Sequence, residues 1–443
     1  MPDTIFAPAT PSGGALCVVR VSGSESARVL KEAFSAKTTP PRRMTYGRLL
    51  DAAGETIDAC MAAFFPSPHS YTGEDMAEFY LHGGQAVLKN ALARMAALGL
   101  RTARPGEFTQ RAFLNGKTDL SKAEAVMDVI NADTSRAAAA AVEQLCGGLE
   151  KRIRDVEQKL REALTALDAA IDYPEELEED VTASLPAQLQ EAEEAIRTLA
   201  ENGVRNRVLR EGAKVVIIGA PNVGKSSLMN ALLQEDMAIV TDIPGTTRDV
   251  LQADADFDGV PVRLFDTAGM RESTDRVESL GVERAKKRAD NADLLLLALD
   301  ASRELLPEER TLLARLEKKP YILVLCKSDL PEVLSPFDDS MPKIARRSRA
   351  VSVSAVTGEG LGYLRSVIAQ LVCPESEALV TNARHVALLK RARNAVEQAR
   401  AAVDLDCAAT DIREALVCLG GITGSAVDER VIEDIFRTFC VGK

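Results

Sequence analysis

The residues best suited to holding a phosphate chain stand together in Gly219-Ala-Pro-Asn222-Val223-Gly224-Lys225-Ser226-Ser227, a GxxxxGKS stretch. Its glycines let the backbone wrap phosphates with N–H groups turned inward, and a following helix adds the positive end of its dipole. Lys225 suits the outer phosphates, and the Ser226 hydroxyl suits magnesium. Asp266-Thr267-Ala268-Gly269 has the character of a second phosphate-side motif, in which an aspartate at a strand end holds magnesium through water and a glycine N–H reaches the γ-phosphate. Between the two runs Thr241-Asp242-Ile243-Pro244-Gly245-Thr246-Thr247-Arg248-Asp249, a loop whose threonine can complete magnesium coordination only with the γ-phosphate present, which makes a switch.

Base choice falls to Cys326-Lys327-Ser328-Asp329, with Ser354-Ala355 as the supporting loop. The guanine-reading pattern is Asn-Lys-x-Asp, in which aspartate accepts two N–H bonds that adenine cannot offer and lysine packs along the base. Cysteine here replaces asparagine, and a thiol is a weak donor. The reading is GTP and GDP, with affinity lowered by about 1 kcal/mol for the lost side-chain bond. Met270 occupies the place where Ras-like enzymes carry a water-orienting glutamine, so another group must serve. Glu272, Asp275 and Glu278 all follow within the loop, and the residues alone do not choose among them.

These motifs need a scaffold. Lys214–Ile218 reads as a buried strand before the glycine loop and Leu228–Leu233 as the helix after it. Strands are expected near Phe257, over Val262–Phe265, Ala292–Leu299, Tyr321–Leu325 and Ala350–Val353. Alternating strand and helix from about residue 209 to 375 predicts a doubly wound sheet with ligands at its carboxyl ends. Residues 1–118 read as mixed α and β: a strand at Ala15–Val21, a helix at Ala27–Phe34, a hairpin of Met44–Leu50 with Ile57–Phe65, a strand at Met76–Leu81, and a helix to Leu98. Arg104–Lys117 reads as a capped helix start with surface charges. Residues 119–208 are helical, with Leu149, Ile153, Val156, Leu160, Leu164, Leu167 and Ile171 on one face. The acidic run Glu175–Asp180 is expected to be a solvated connection before a helix at Ala183–Asn202. Residues 376–443 are helical again. Leu389, Ala392, Val396, Ala399 and Val403 make one stripe, and Gly420-Gly421 is expected to separate the last helices. Each helical half carries a stripe that needs a partner, so the fold is α/β plus all-α, with a P-loop GTPase domain inserted between two halves of one helical domain.

The chain of 443 residues is 46% hydrophobic and 27% charged, an ordinary globular composition that predicts two or three domains. Met1–Thr4 shows no basic region before an apolar core, so no signal peptide is expected, and no apolar run approaches a membrane span. A cytoplasmic protein is expected. None of the eight cysteines forms C-x-x-C, and the three histidines lack metal spacing. A net charge of −12 argues against a broad basic nucleic-acid surface while leaving room for local patches.

The whole chain resembles the MnmE (TrmE) family of tRNA modification GTPases. The resemblance rests on Ala7–Gly14, Thr72-Gly-Glu-Asp75, Arg104–Phe108, Arg111–Lys117, Asp172-Tyr-Pro174, Gly219–Ser227, Asp242–Asp249 and the ending Phe439-Cys440-Val-Gly-Lys443. It implies that residues 1–118 dimerise and bind a one-carbon folate, 5-formyl-tetrahydrofolate or 5,10-methylene-tetrahydrofolate, through Arg20, Glu78, Lys117 and Lys443. Cations suit the glutamate tail of a folate and a carboxylate suits its pterin N–H groups. The resemblance also implies potassium in place of an arginine finger, held by Asn222, Thr241, Ile243 and Thr246, and magnesium on Ser226 and Thr247. It assigns the water-orienting role to Glu278 and a role in the modification to Cys440. The partners implied are a second copy, tRNA, and an MnmG-like FAD protein in a heterotetramer, acting at C5 of the wobble uridine. Cys326 and Pro244 depart from the expected pattern, and proline leaves its carbonyl available.

Two other classes compete. A ribosome-assembly GTPase would carry a basic RNA-binding module beside the nucleotide domain, and the acidic chain has none. A folate-dependent one-carbon transferase with a regulatory GTP site would modify its substrate without GTP turnover, so a Glu278→Ala variant separates it from the first reading.

Overall fold

The computed structural model describes residues 3–234, 252–266, 291–315, 320–334, 349–374, 377 and 379–443. The chain divides into two compact units, one of Met1–Met127, Gln144–Leu189 and Ala395–Lys443, the other of Asp128–Glu143 and Gln190–Asn394.

The first unit contains a six-stranded sheet of β1 (Ile5–Pro8), β2 (Leu16–Ser22), β3 (Thr45–Leu50), β4 (Thr56–Phe65), β5 (Met76–His82) and β6 (Arg101–Thr102), in the order β3-β4-β5-β2-β1-β6. All neighbours are antiparallel except β1 and β6. Alternation decides its two faces. Val19, Val21, Phe79 and Leu81 point into a core with Val29 and Leu30 of α1 (Ser26–Ala33) and Ala91 and Met95 of α2 (Gln85–Ala97). Arg20, Glu78 and Tyr80 therefore emerge on the opposite face. There α3 (Glu107–Leu114) contributes Phe108, which packs with Ile5, Ala7 and Met76.

The next helix is α4 (Leu120–Ile130), of which residues up to 127 belong to this unit. The helix α6 (Gly148–Asp172) pairs with α12 (Leu405–Thr423), an association across the whole inserted segment, and Arg413 reaches Asp168 at 2.7 Å. Its buried face is Leu149, Ile153, Val156, Leu160, Ala163, Leu167 and Ala170. The expected Leu164 and Ile171 are only half-buried, because a 3.6-residue period drifts off a fixed spacing and brings alanines into the close helix contact instead. The glycine pair does not break α12. The helix runs through Gly420-Gly421 and stops at Gly424, which takes the left-handed conformation a C-terminal cap requires. Gly420 is glycine for space: a Cβ there would lie 2.7 Å from the Ser425 hydroxyl as the chain folds back. The last helix, α13 (Glu429–Arg437), begins on an Asp428 side-chain cap and packs Ile432 and Phe436 against Leu120 and Met127.

The second unit holds a sheet of β7 (Ala213–Ile218), β8 (Gln252–Phe257), β9 (Val260–Asp266), β10 (Leu294–Asp300), β11 (Tyr321–Cys326) and β12 (Arg349–Val353), in the order β12-β11-β10-β7-β9-β8. Every pair is parallel except β8–β9. Leu294–Asp300 is buried along its length, as a central parallel strand covered on both faces must be. The helices α8 (Lys225–Gln234) and α10 (Leu361–Val372) lie on one face with α5 (Ser135–Leu145), of which Ala137 and Ala140 join the core. The helix α9 (Pro307–Arg315) covers the other through Leu313. In α11 (Ala383–Ala401) the residues Leu389, Ala392, Val396 and Ala399 are buried, while Val403 lies beyond the helix end and is fully exposed.

One expected connection is helical instead. The helix α7 runs from Pro174 to Glu211, so Glu175–Asp180 lies in its opening turns. Proline at the first helical position and carboxylates near the N-terminus both favour helix there, by the preset φ and by the macrodipole.

Candidate functional site

The nucleotide loop is built as its residue types require. At Gly219 the backbone passes so near β10 that a Cβ would sit 2.4 Å from the Ala298 carbonyl. Asn222 and Gly224 both take left-handed φ, +63° and +101°, which turns successive N–H groups to the inside of the loop. Lys225 opens α8, is buried, and donates from Nζ to the Ala220 carbonyl at 2.7 Å. Ser226 Oγ donates to Asp266 Oδ2 at 2.7 Å, joining the helix start to the end of β9. A hydroxyl and a carboxylate are the hard oxygen ligands magnesium takes, so the pair fits that ion. Val223 packs into the core, and Ser227 is the third residue of α8.

The base loop follows β11. Lys327 takes φ +62° and donates to Asp300 Oδ2 at 2.6 Å. Asp329 Oδ1 accepts from the buried Ser354 hydroxyl at 2.7 Å, and Ser354 Oγ in turn accepts from the N–H groups of Val356 and Thr357. Ser328 N–H donates to the Val353 carbonyl, and Ala355 packs against the sheet core. Cys326 is buried beside the phosphate loop, 3.9 Å from where a Cβ on Gly224 would stand. Burial, and then the Asp300 charge, push its thiol up to about 12, so it is a neutral group at physiological pH.

Sequence reasoning passed over Asp300, which follows the apolar strand expected at Ala292–Leu299. The available signal was an acidic residue at the carboxyl end of a parallel strand, where ligands gather. Burial pushes its carboxyl up, and the Lys327 ammonium and Ser302 donors outweigh that and hold it below the ordinary range.

A second cluster lies in the other unit. Arg20 and Glu78 face each other across β2 and β5, with Nε 2.8 Å from Oε1. The Arg20 guanidinium stands 5.2 Å from the Tyr71 ring centre and 5.7 Å from that of Phe108. Tyr80 donates to Glu78 Oε2 at 2.6 Å, and burial first, then Glu78, raise its phenol to about 12, so it remains a donor. The C-terminal tail reaches the same place. Gly442, at φ +96°, lies so close to Pro8 that a Cβ would overlap its carbonyl, and its own carbonyl accepts from Arg20 Nη1 at 3.4 Å. Lys443 follows, with its N–H donating to the Cys440 carbonyl; Cys440 is exposed, and its carbonyl also accepts the Gly106 N–H. Lys117 is not in contact with Arg20 through any described bond. It donates to the Pro68 carbonyl at 2.9 Å, in the loop that also carries Tyr71.

The charges of Arg104–Lys117 are not all on the surface as expected. Glu107 and Arg111 are buried and bonded to each other at 3.1 Å, with Arg111 also bonded to Asp3 and Glu74 and Glu107 to Arg101. Charges this deep are tolerated because each meets an opposite partner.

Thr241, Asp242, Ile243, Pro244, Gly245, Thr246, Thr247, Thr267, Ala268, Gly269 and Glu278 lie outside the described residues.

Comparison with known proteins places the chain in a family. Residues 120–440 match the MnmE helical domain family, and residues 4–117 match the GTP-binding protein TrmE N-terminus family. The tRNA modification GTPases MnmE of Alkaliphilus metalliredigens and Geobacillus kaustophilus are 39% and 41% identical, over 100% of this chain and 99% of each of theirs. Among solved structures, Aquifex aeolicus Era bound to GDP.AlF4- is 28% identical over 41% of this chain and 66% of that one, with a TM-score of 0.28. Among the described residues no helix is long and apolar enough to cross a membrane.

Proposed function

The chain belongs to the MnmE family of tRNA modification GTPases, and from that premise we propose that it couples potassium-dependent GTP hydrolysis to a folate-dependent change at C5 of the wobble uridine in tRNA. The observation that carries the folate reading is the meeting of Arg20, Glu78 and the C-terminal Gly442 on one face of the first sheet. A buried-edge guanidinium, a carboxylate and two aromatic rings suit a flat heterocycle with N–H donors and an anionic tail.

In this reading Glu78 accepts the pterin N–H groups, Arg20 and Lys443 meet the tail carboxylates, and Lys117 adds charge at the rim. The folate, 5-formyl- or 5,10-methylene-tetrahydrofolate, supplies the one-carbon unit. Cys440, exposed near the site, takes part in the modification. The active assembly is a homodimer joined by an FAD-containing partner, and it acts in the cytoplasm, where its tRNA is found.

In the nucleotide site Lys225 and the N–H groups of Asn222–Ser227 hold the phosphates, and Asp329 reads the base. Ser226 and Thr247 hold magnesium, with Asp266 behind Ser226. Asn222, Thr241, Ile243 and Thr246 hold potassium, which supplies positive charge where an arginine would otherwise stand. Glu278 orients the attacking water.

Two measurements test the proposal. GTP hydrolysis in potassium exceeds that in sodium at matched ionic strength by at least about tenfold; equal rates remove Asn222 and Thr241–Thr246 as cation ligands. Calorimetry with 5-formyl-tetrahydrofolate gives binding that Arg20→Ala abolishes; undiminished binding by that variant removes the folate assignment.

A further inference from the structure

The two recognition side chains of the base loop are each held from a neighbouring strand. Asp329 is held by Ser354, just past β12, and Lys327 is held by Asp300, at the end of β10. Asp300 is 5% exposed. Its Oδ1 accepts from the Ser302 N–H at 3.0 Å and the Ser302 hydroxyl at 2.6 Å, leaving Oδ2 aimed at Lys327 Nζ, 2.6 Å away. The backbone beneath is fixed as well. Asp300 is in register with Cys326, the Ala301 N–H donates to the Cys326 carbonyl at 3.0 Å, and the Ala301 carbonyl accepts from Val333 and Leu334. The neighbouring Arg303 is held by Glu309, with its Nε 3.9 Å from Asp300 Oδ2.

We propose that Asp300 is a positioning residue for nucleotide recognition: its carboxylate, locked by Ser302, anchors the Lys327 ammonium so that the lysine stem is a fixed, charge-neutralised platform for the flat face of the guanine base. The physical reason is conformational. A free lysine carries large rotamer entropy, some of which would be lost each time a base packed on its stem. A buried anchor removes that freedom before the nucleotide arrives, and preorganisation of this kind appears as affinity. It also explains a carboxylate at the end of an otherwise wholly apolar strand. The inference rests on the reading that Lys327 packs along the base.

The test is a double-mutant cycle read by fluorescent GDP binding on the full chain. Lys327→Ala weakens GDP by about thirtyfold and Asp300→Asn by about tenfold, and the double variant binds no more weakly than Lys327→Ala alone. KM for GTP rises with Asp300→Asn while kcat stays within about twofold, and the preference for GDP over ADP is kept, because Asp329 sets it. Ser302→Ala, which frees the carboxylate without removing a charge, weakens GDP by about threefold, again only when Lys327 is present, so the inference stays testable if Asp300→Asn folds poorly. A tenfold loss that persists in the Lys327→Ala background means Asp300 merely supports the fold and overturns the inference. Weakening by Lys327→Ala with no effect of Asp300→Asn or Ser302→Ala overturns it too while leaving the base-loop reading standing. No weakening by Lys327→Ala removes that reading and the inference with it.

Discussion

The two sites are made in different ways. The nucleotide site is made chiefly of backbone. Its loop is continuous from Gly219 to Ser227, its shape depends on φ values at Asn222 and Gly224, and its remaining groups stand at the ends of adjacent parallel strands. The Arg20 site is made of side chains from positions far apart: Arg20 and Glu78 are 58 residues apart, and Arg20 meets Gly442 across 422. A backbone site is local and tolerant of its surroundings, whereas a side-chain site exists only once the sheet, α3 and the tail have all docked. The lesson is that damage to the nucleotide site should stay chemical, while damage to the first unit should reach its site through folding.

The strongest way to break that contrast is at Lys225. Lys225→Ala should lower kcat for GTP hydrolysis by about a thousandfold, since it removes the charge that the proposed function sets on the phosphates. The thermal midpoint and folate binding should hardly move. A large loss of stability or folate binding would show that the nucleotide loop is not local in its effects.

The reverse case is Arg111. It is buried and bonded to Asp3, Glu74 and Glu107, so Arg111→Met should cost about 3 kcal/mol of stability at neutral pH, because it takes a cation from the buried Glu107 and the part-buried Glu74. The pH dependence has a definite sign. The Arg101 bond, against some opposing burial and helped by the Arg101 and Arg111 charges, holds Asp3 at about 2. Burial pushes Glu107 up, and bonds from Arg101, the Arg104 N–H and Arg111 more than reverse this. Both carboxyls lie below their unfolded values of about 4, so the stability they give is complete above that pH and is lost as pH falls towards 2. Acid titration monitored by circular dichroism should therefore show the Arg111→Met penalty shrinking below pH about 4. A penalty independent of pH would mean that packing, not charge, is what Arg111 contributes.

What the sequence disclosed follows the same division. The phosphate loop, the Asp266 strand end and the hairpin of β3 and β4 could be read from neighbouring residues, because local geometry makes them. The inserted arrangement was visible from the α6 stripe and the helical end of the chain, although the stripe's own register drifted to Ala163 and Ala170. Arg20 and Glu78 could not be picked out from pattern, since an arginine or glutamate on an alternating strand looks like any surface charge; only resemblance singled them out. The buried pair Glu107–Arg111 was misread for the same reason. Helix ends failed where two local rules competed: acidic residues read as a loop favoured the first turns of α7, and a glycine pair read as a break lies inside α12, with Gly420 making room for the returning chain. Asp300 escaped because its importance lies in a partner 27 residues later.

A smaller effect separates charge from shape in the first unit. Glu78→Gln preserves size and can still bond to Arg20 and Tyr80, so it should leave stability near wild type while weakening the proposed folate binding by about tenfold through the lost charge. Unfolding by this variant would extend the Arg111 behaviour to the whole face and blur the distinction between anchoring and binding groups.

The smallest expected effect is at Cys326, a side chain packed beneath the backbone-made phosphate loop. Its neutral thiol lies under the phosphate loop near Gly224 and has only the Val324 carbonyl as a described partner, at 3.8 Å. A carboxamide here has an acceptor and two donors for the loop and the base, so Cys326→Asn should tighten GDP by about fivefold, the worth of one added bond. The thiol itself should resist alkylation at neutral pH while the exposed Cys146, Cys407 and Cys440 react, since it is both buried and far from ionised. If calorimetry instead finds the asparagine variant unchanged or weaker, the loop has been repacked around a small apolar group. Even the shape of the backbone loop would then depend on a packed side chain, and the contrast between the two sites would be one of degree.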